Sequence, residues 1–220
     1  MLTARPERML LRVDRTDPSK NVVRGFAAFD VFLADHPEWH GRVTMLALLD
    51  PSRPEIPEYA EYVGAIQRAA RTINDRYYSG DWSPVDLRIS DNFPEAVAAY
   101  KHFDVLLVNA IFDGMNLVAK EAPLVNTRDG VLILSENTGA FQELADFAIA
   151  VNPFDIQQQA DAIFRALTMP DEERRRRIEG LRAHVRANDM GGWIAAQLDD
   201  LAAPPRARSR LARRLPRWRN

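Results

Sequence analysis

FDVLLVNAIFDGMNLVAKE, residues 103–121, reads in succession as a strand, a turn and a helix. Residues 104–108 (DVLLV) form a short, almost continuous apolar run, the pattern of a strand covered on both faces in a parallel sheet. The turn holds Asp113 and Gly114, and a helix is expected from Met115. This order puts the helix N-terminus at the carboxyl edge of the sheet, where exposed backbone N–H groups and the positive end of the helix dipole favour phosphate or another anion. Gly114 would let the backbone come close to such a ligand. Glu121 lies one turn beyond Leu117 on the same helical face, placed to accept hydrogen bonds from the vicinal hydroxyls of a sugar or ribose. The plainer alternative is that Asp113 is an N-cap and Glu121 a solvated helix charge.

Outward from this stretch the same grammar repeats. Residues 9–13 read as a strand and 21–35 as a helix with Val22, Phe26, Phe29 and Leu33 on its inner face. Residues 43–49 form the next strand. A long helix follows over 57–77, then a strand at 85–89 and a helix opened by Pro94 after Asn92. Beyond residue 121 come a strand at 131–134, a short helix at 139–144, a strand at 147–151 and a helix capped by Asp155. Two terminal helices near 170–187 and 189–201 finish the pattern. Six strands alternating with helices imply an α/β fold with a doubly wound, Rossmann-like parallel sheet. One domain over residues 1–203 is expected, followed by a basic tail at 204–220.

Composition narrows the functional classes. With 46% hydrophobic and 27% charged residues, the 220-residue chain has the make-up of an ordinary globular domain. No apolar run approaches the roughly 20 residues of a membrane span, and no apolar core follows the Arg-rich N-terminus as a secretory signal would require. Cysteine is absent, which excludes disulfides, thiolate catalysis and Cys-ligated zinc and suits a cytoplasmic location. His36, His40, His102 and His184 form no metal-binding spacing, so neither a protein-bound metal nor another cofactor is expected. The net charge of −2 is uneven: residues 204–220 carry seven arginines and no acid, leaving −9 on residues 1–203. The tail reads as a flexible basic extension, solvated or touching an acidic partner. Arg174 to Arg177, behind Asp171-Glu172-Glu173, read as a charged surface helix.

Two further constellations lie at strand ends. VDRTDPSKN, residues 13–21, carries Arg15 and Lys20 just after the first strand. Arg15 can fork onto phosphate oxygens while Lys20 supplies a point charge, together suited to a diphosphate leaving group; equally, Arg15 can pair with Asp14 or Asp17 in a surface loop. DPSRP, residues 50–54, places Arg53 after the strand at 43–49, as another anion ligand or as a surface arginine in a turn.

VDRTDPSKN, PSR at 51–53 with Pro57-Glu58-Tyr59, INxRY at 73–77, DGMNLVAKE at 113–121, GVLILSExxGA at 130–140 and VNPFD at 151–155 together resemble the trehalose-6-phosphate synthase family. The resemblance runs from about residue 9 to 201. It implies the C-terminal, nucleotide-sugar-binding half of a two-domain GT-B glycosyltransferase, whose members transfer glucose with retention from a nucleotide donor to glucose 6-phosphate without a catalytic metal. Carried over by position, it implies that Arg15 and Lys20 hold and stabilise the departing diphosphate. Asp113 with the backbone of Gly114, Met115 and Asn116 would hold the glucose hydroxyls. The Leu117 and Val118 amides would meet the diphosphate, Glu121 the ribose, and Arg53 the acceptor phosphate. Phe93 falls near the family's contact with the base, though the spacing to the next strand is two residues shorter.

Asn21 stands where many members have glycine, and Phe112 where an arginine is common. No counterpart of the family's N-terminal half is present in these residues, so the chain alone is expected to be incomplete and inactive. It would be completed by a separate N-terminal half or by assembly as a homo-oligomer. Three readings follow: the donor-binding half of such a synthase using UDP-, GDP- or ADP-glucose, a noncatalytic nucleotide-sugar-binding module, or a pseudo-glycosyltransferase subunit with a cyclitol acceptor.

Overall fold

The computed structural model describes residues 7–202. Strands β1 (Arg8–Arg15), β2 (Val43–Asp50), β3 (Val85–Ile89), β4 (Val105–Val108), β5 (Val131–Ser135) and β6 (Ile149–Val151) alternate with α1 (Val22–Asp35), α2 (Pro57–Tyr77), α3 (Phe93–Tyr100), α4 (Leu117–Val125), α5 (Phe141–Leu144) and α6 (Ile156–Leu167). Helices α7 (Asp171–Ala187) and α8 (Met190–Ala202) follow. Every strand pairing is parallel, and the sheet order is β3-β2-β1-β4-β5-β6. The order reverses between β1 and β4, so the connections leaving those two strands turn to opposite sides and open a crevice at their carboxyl ends.

The period-2 alternation of the strands divides the core in two. Leu10, Met45, Ala47, Val105, Leu107 and Ile133 face a cluster with Phe26, Phe29 and Phe32 of α1 and Ile163 of α6. Leu11, Leu46, Leu48, Leu106, Leu132 and Leu134 face another, with Ala96 of α3, Ala119 of α4 and Ile178 and Leu181 of α7. Both faces of the central strands are buried, which is why β2, β4 and β5 read as apolar runs, whereas edge strand β3 alternates with the partly exposed Asp86 and Arg88.

The expected elements recur with small shifts. Helix α4 starts at Leu117 and not Met115, because Asn116 takes a left-handed φ of 67° and caps the helix by accepting from the Ala119 N–H at 3.0 Å. Phe147 closes a 3-10 turn (Ala145–Phe147) instead of opening β6. Arg174 departs from the solvated charge run: it is 4% exposed, its guanidinium donating to the Asp129 and Arg128 carbonyls at 3.0 and 3.1 Å. Arg176 and Arg177 do pair on the helix surface, each 2.7 Å from Glu173. No helix among the described residues is long and apolar enough to cross a membrane.

The chain divides into two compact units at Val185 and Arg186. The second contains α8, where Met190, Trp193, Ile194, Leu198 and Leu201 are exposed. The expected basic tail, residues 204–220, lies outside the described residues.

One residue breaks the apolar run of β1. Arg12 is fully buried in the middle of the sheet, 3.0 Å from the Asp14 carboxylate, and donates at 2.6 Å to the Asn109 side chain and also to the Lys20 carbonyl. Gly25 of α1 leaves the room it needs, since a Cβ there would lie 2.4 Å from the guanidinium. Burial pushes the Asp14 carboxyl up, with Arg12 and Lys20 working against the rise. Removing one member of such a pair leaves the other charged and unpartnered. Arg12→Leu is therefore expected to lower stability by about 3–5 kcal/mol, read from urea unfolding, and adding Asp14→Leu to recover part of that loss.

Candidate functional site

A cavity of about 470 Å³ opens at the carboxyl edge where the strand order reverses. Residues from the ends of β1 and β2, the loop after β4 and helices α3 and α4 line it. The loop after β4 is shaped by its own side chains. Asp113 accepts from the Met115 N–H at 3.3 Å and from the Asn116 amide at 3.0 Å, while Asn116 turns into its left-handed cap. The loop is pinned from the β5 side by the Gly139 and Ala140 N–H groups, which donate at 2.9 Å to the Asp113 and Met115 carbonyls. Gly139 permits that approach, because a Cβ would stand 2.0 Å from the Gly114 oxygen. Gly114 itself has open space around it and no left-handed φ, so within this chain the steric demand falls on Gly139.

The loop after β1 meets this one directly. A 3-10 turn (Pro18–Lys20) is capped by Asp17, whose carboxylate accepts from the Ser19 N–H at 3.2 Å and hydroxyl at 3.0 Å. The turn ends at Asn21, left-handed with φ of 61°. Glycine enters that region freely and asparagine tolerates it, so the Asn21 departure keeps the loop shape. Its amide then donates to the Asn109 and Pro153 carbonyls at 2.9 and 2.7 Å. The two loops are joined by Ile111 N–H donating to the Ser19 carbonyl at 2.8 Å, and by Lys20 Nζ donating to Asp113 Oδ2 at 2.5 Å.

The Lys20–Asp113 pair is half-sheltered, and both side chains line the cavity. Burial raises the Asp113 carboxyl, but the hydrogen bond and charge of Lys20 outweigh it and hold the group below its ordinary value. A cation and a carboxylate acceptor thus stand side by side. Arg15 contributes a second cation: its guanidinium is largely exposed and only 3.6 Å from Asp17, a loose contact that leaves it free to turn toward an anion. At the start of α4 the N–H groups of Leu117 and Val118 have no preceding turn to bond, as at any helix N-terminus.

Arg15, Lys20, Asp113, Met115, Asn116, Leu117, Val118 and Glu121 therefore share one cavity wall, with Phe93 on the α3 side. Gly114 lies within the loop between them. Arg53 is not in the wall: in the β2–α2 connection, with φ of 46°, it donates to the Tyr59 hydroxyl at 2.9 Å and stacks over that ring. Asp14, Asp50, Asp91 and Tyr100 line the cavity too and were not singled out from sequence. A charged residue at position 12 inside an apolar strand was the one available signal of the network beneath. A larger cavity of about 980 Å³ along edge strand β3, with Arg71, Asn74 and Trp82 in its wall, contains none of the expected residues.

The sequence model of glycosyltransferase family 20 matches residues 3–203. A bifunctional trehalose-6-phosphate synthase/phosphatase from Thermoproteus tenax is 38% identical over 211 residues, covering 94% of this chain and 29% of the relative. Validamine 7-phosphate valienyltransferase from Streptomyces hygroscopicus subsp. jinggangensis is 35% identical, covering 94% of this chain and 41% of that protein. A UDP-forming alpha,alpha-trehalose-phosphate synthase from Burkholderia xenovorans, solved in complex with glucose-6-phosphate, superposes with a TM-score of 0.85 at 34% identity over 90% of this chain and 44% of that one. The chain thus spans less than half the length of these relatives and corresponds to their C-terminal part. It belongs to glycosyltransferase family 20.

Proposed function

We propose that these residues bind a nucleotide-diphosphate glucose and hold it for glucosyl transfer to glucose 6-phosphate, the reaction of a trehalose-6-phosphate synthase. The observation that carries the reading is the Lys20–Asp113 pair bridging the β1 and β4 loops, beside the open amides of α4 and in the same cavity as Glu121. Charge in such a transfer builds on the departing diphosphate, and catalysis needs fixed donors where that charge appears. Lys20 and Arg15 supply two cations, and the Leu117 and Val118 amides add N–H donors at the positive end of a helix. Asp113, with the backbone of Gly114, Met115 and Asn116, takes the hydroxyls of the transferred glucose, and Glu121 those of the ribose.

Since the cations come from side chains, we assign no metal or other cofactor to this step. UDP-glucose is the favoured donor among the UDP-, GDP- and ADP-sugars, by likeness to the UDP-forming relative. Arg53 is assigned to the acceptor phosphate, from outside the donor cavity. The facing wall of the cleft comes from further residues of the same polypeptide or from a partner. We take residues 1–203 as one donor-binding domain with 204–220 appended, and place the protein in the cytoplasm, in keeping with a chain without cysteine. The likeness to a valienyltransferase gives a second reading with a cyclitol acceptor, and because such an enzyme transfers a valienyl group the two readings are separated by which donor and which acceptor are consumed.

Calorimetric titration of the 220-residue chain is expected to show UDP-glucose binding that Lys20→Ala weakens at least about tenfold, with Arg15→Ala weakening it less. No binding by the wild-type chain to any of the three nucleotide sugars would sink the donor-site assignment. In a form of the protein that turns over, Lys20→Ala is expected to lower kcat by about 10²–10³, the range for losing one preorganised donor to a developing anion. Donor affinity is expected to be unchanged by EDTA, and a loss that Mg²⁺ restores would contradict the metal-free assignment.

A further inference from the structure

Tyr100, the last residue of α3, belongs to the core by its ring and to the cavity by its place in the wall. It is 4% exposed and packs among Ala96, Ala99, Phe103 and Leu106. A phenol oxygen on a core ring normally finds a hydrogen-bond partner, because leaving it without one costs about 1–3 kcal/mol. Among the described residues no protein group hydrogen-bonds the Tyr100 hydroxyl, and it is not one of the side-chain atoms sealed from solvent. Tyr100 lines the cavity shared with Glu121, Asp14 and Asp50, and the hydroxyl is the one polar group its side chain can offer there.

The character of that space selects the ligand group. Burial pushes the Tyr100 phenol well above its ordinary value, and the nearby Glu121, Asp14 and Asp50 carboxylates push it further the same way. The hydroxyl stays protonated and is available to donate. Asp14 is paired with Arg12, but a phosphate placed beside Glu121 and Asp50 would be repelled, and the cations and helix amides that suit it line the cavity at Lys20, Arg15, Leu117 and Val118. A neutral sugar bearing hydroxyls meets no such penalty. Carboxylates accept from its O–H groups, and one protonated phenol supplies the complementary donor.

Resting on the donor-site reading above, we propose that the Tyr100 hydroxyl is a further binding residue for the donor nucleotide, donating a hydrogen bond to a ribose hydroxyl that Glu121 addresses from the adjoining helix. Helices α3 and α4 pack against each other, so the two side chains approach the ribose from neighbouring walls. Glu121 as acceptor and Tyr100 as donor together discriminate a ribose from a sugar lacking one hydroxyl, since a site built for a hydroxyl leaves its own polar groups unpaired when the hydroxyl is missing.

The test uses Tyr100→Phe, which keeps the ring and its packing, with thermal unfolding to establish that the fold is unchanged. Titrations with UDP, 2′-deoxy-UDP and 3′-deoxy-UDP are compared with wild type. The expected result is about tenfold weaker UDP binding by the variant, with no further loss for whichever deoxynucleotide lacks the bonded hydroxyl. Equal weakening for all three nucleotides would overturn the ribose assignment, as would UDP binding indistinguishable from wild type. Failure of the wild-type chain to bind UDP or UDP-glucose would instead overturn the donor-site reading, and this inference with it.

Discussion

The central strands of the parallel sheet are buried on both faces, and the reversal of strand order between β1 and β4 opens a crevice at their carboxyl ends. Most of the candidate site residues collect at that point, where loop side chains, the N-terminus of α4 and open space coincide. Residues 15–20 and 113–121 lie far apart in the chain. Adjacency of β1 and β4 brings them within one hydrogen bond, Lys20 to Asp113.

The crevice is rigid for reasons that lie beneath it. Arg12, Asn109, Asn21 and Gln159 form a buried polar network between β1, β4 and α6, and it fixes the Lys20 carbonyl and the left-handed Asn21 from below. The network is satisfied except at Arg12 Nε, which is buried without a hydrogen-bond partner, and through the Lys20 carbonyl it anchors the loop that carries the cations. Preorganisation of this kind is what a transferase needs where charge develops on a leaving group. The β5 side contributes the same constraint through Gly139, which lets the backbone press directly against the loop after β4.

Much of this was legible in the residues. The apolar runs of β1, β2, β4 and β5 announced a doubly covered sheet, and the helices followed from Pro, Asp and Asn at their starts with apolar residues at helical spacing. DGMNLVAKE suggested an anion beside hydroxyl groups, and VDRTDPSKN a pair of cations for a diphosphate. The shifts were local: Asn116 moved the start of α4 because a side-chain cap stabilises a left-handed residue that propensity alone treats as helix, and Arg174 left the surface because two carbonyls at 128 and 129 wanted a donor. Arg53 joined Tyr59 outside the donor cavity, a choice of rotamer and turn geometry that spacing does not encode.

Sequence by itself determined the α/β class, the positions of six strands and the chemical types gathered at their ends, because periodicity and turn residues act over short stretches of chain. Only the tertiary structure decided which strand ends are neighbours, that Arg12 and Asp14 are buried together beneath them, and that Tyr100 lines the same cavity as Glu121. Those are contacts between residues many positions apart. They are set by sheet order and by the direction in which each side chain leaves the backbone, and a core tyrosine and a ligand-binding tyrosine look alike until both are known.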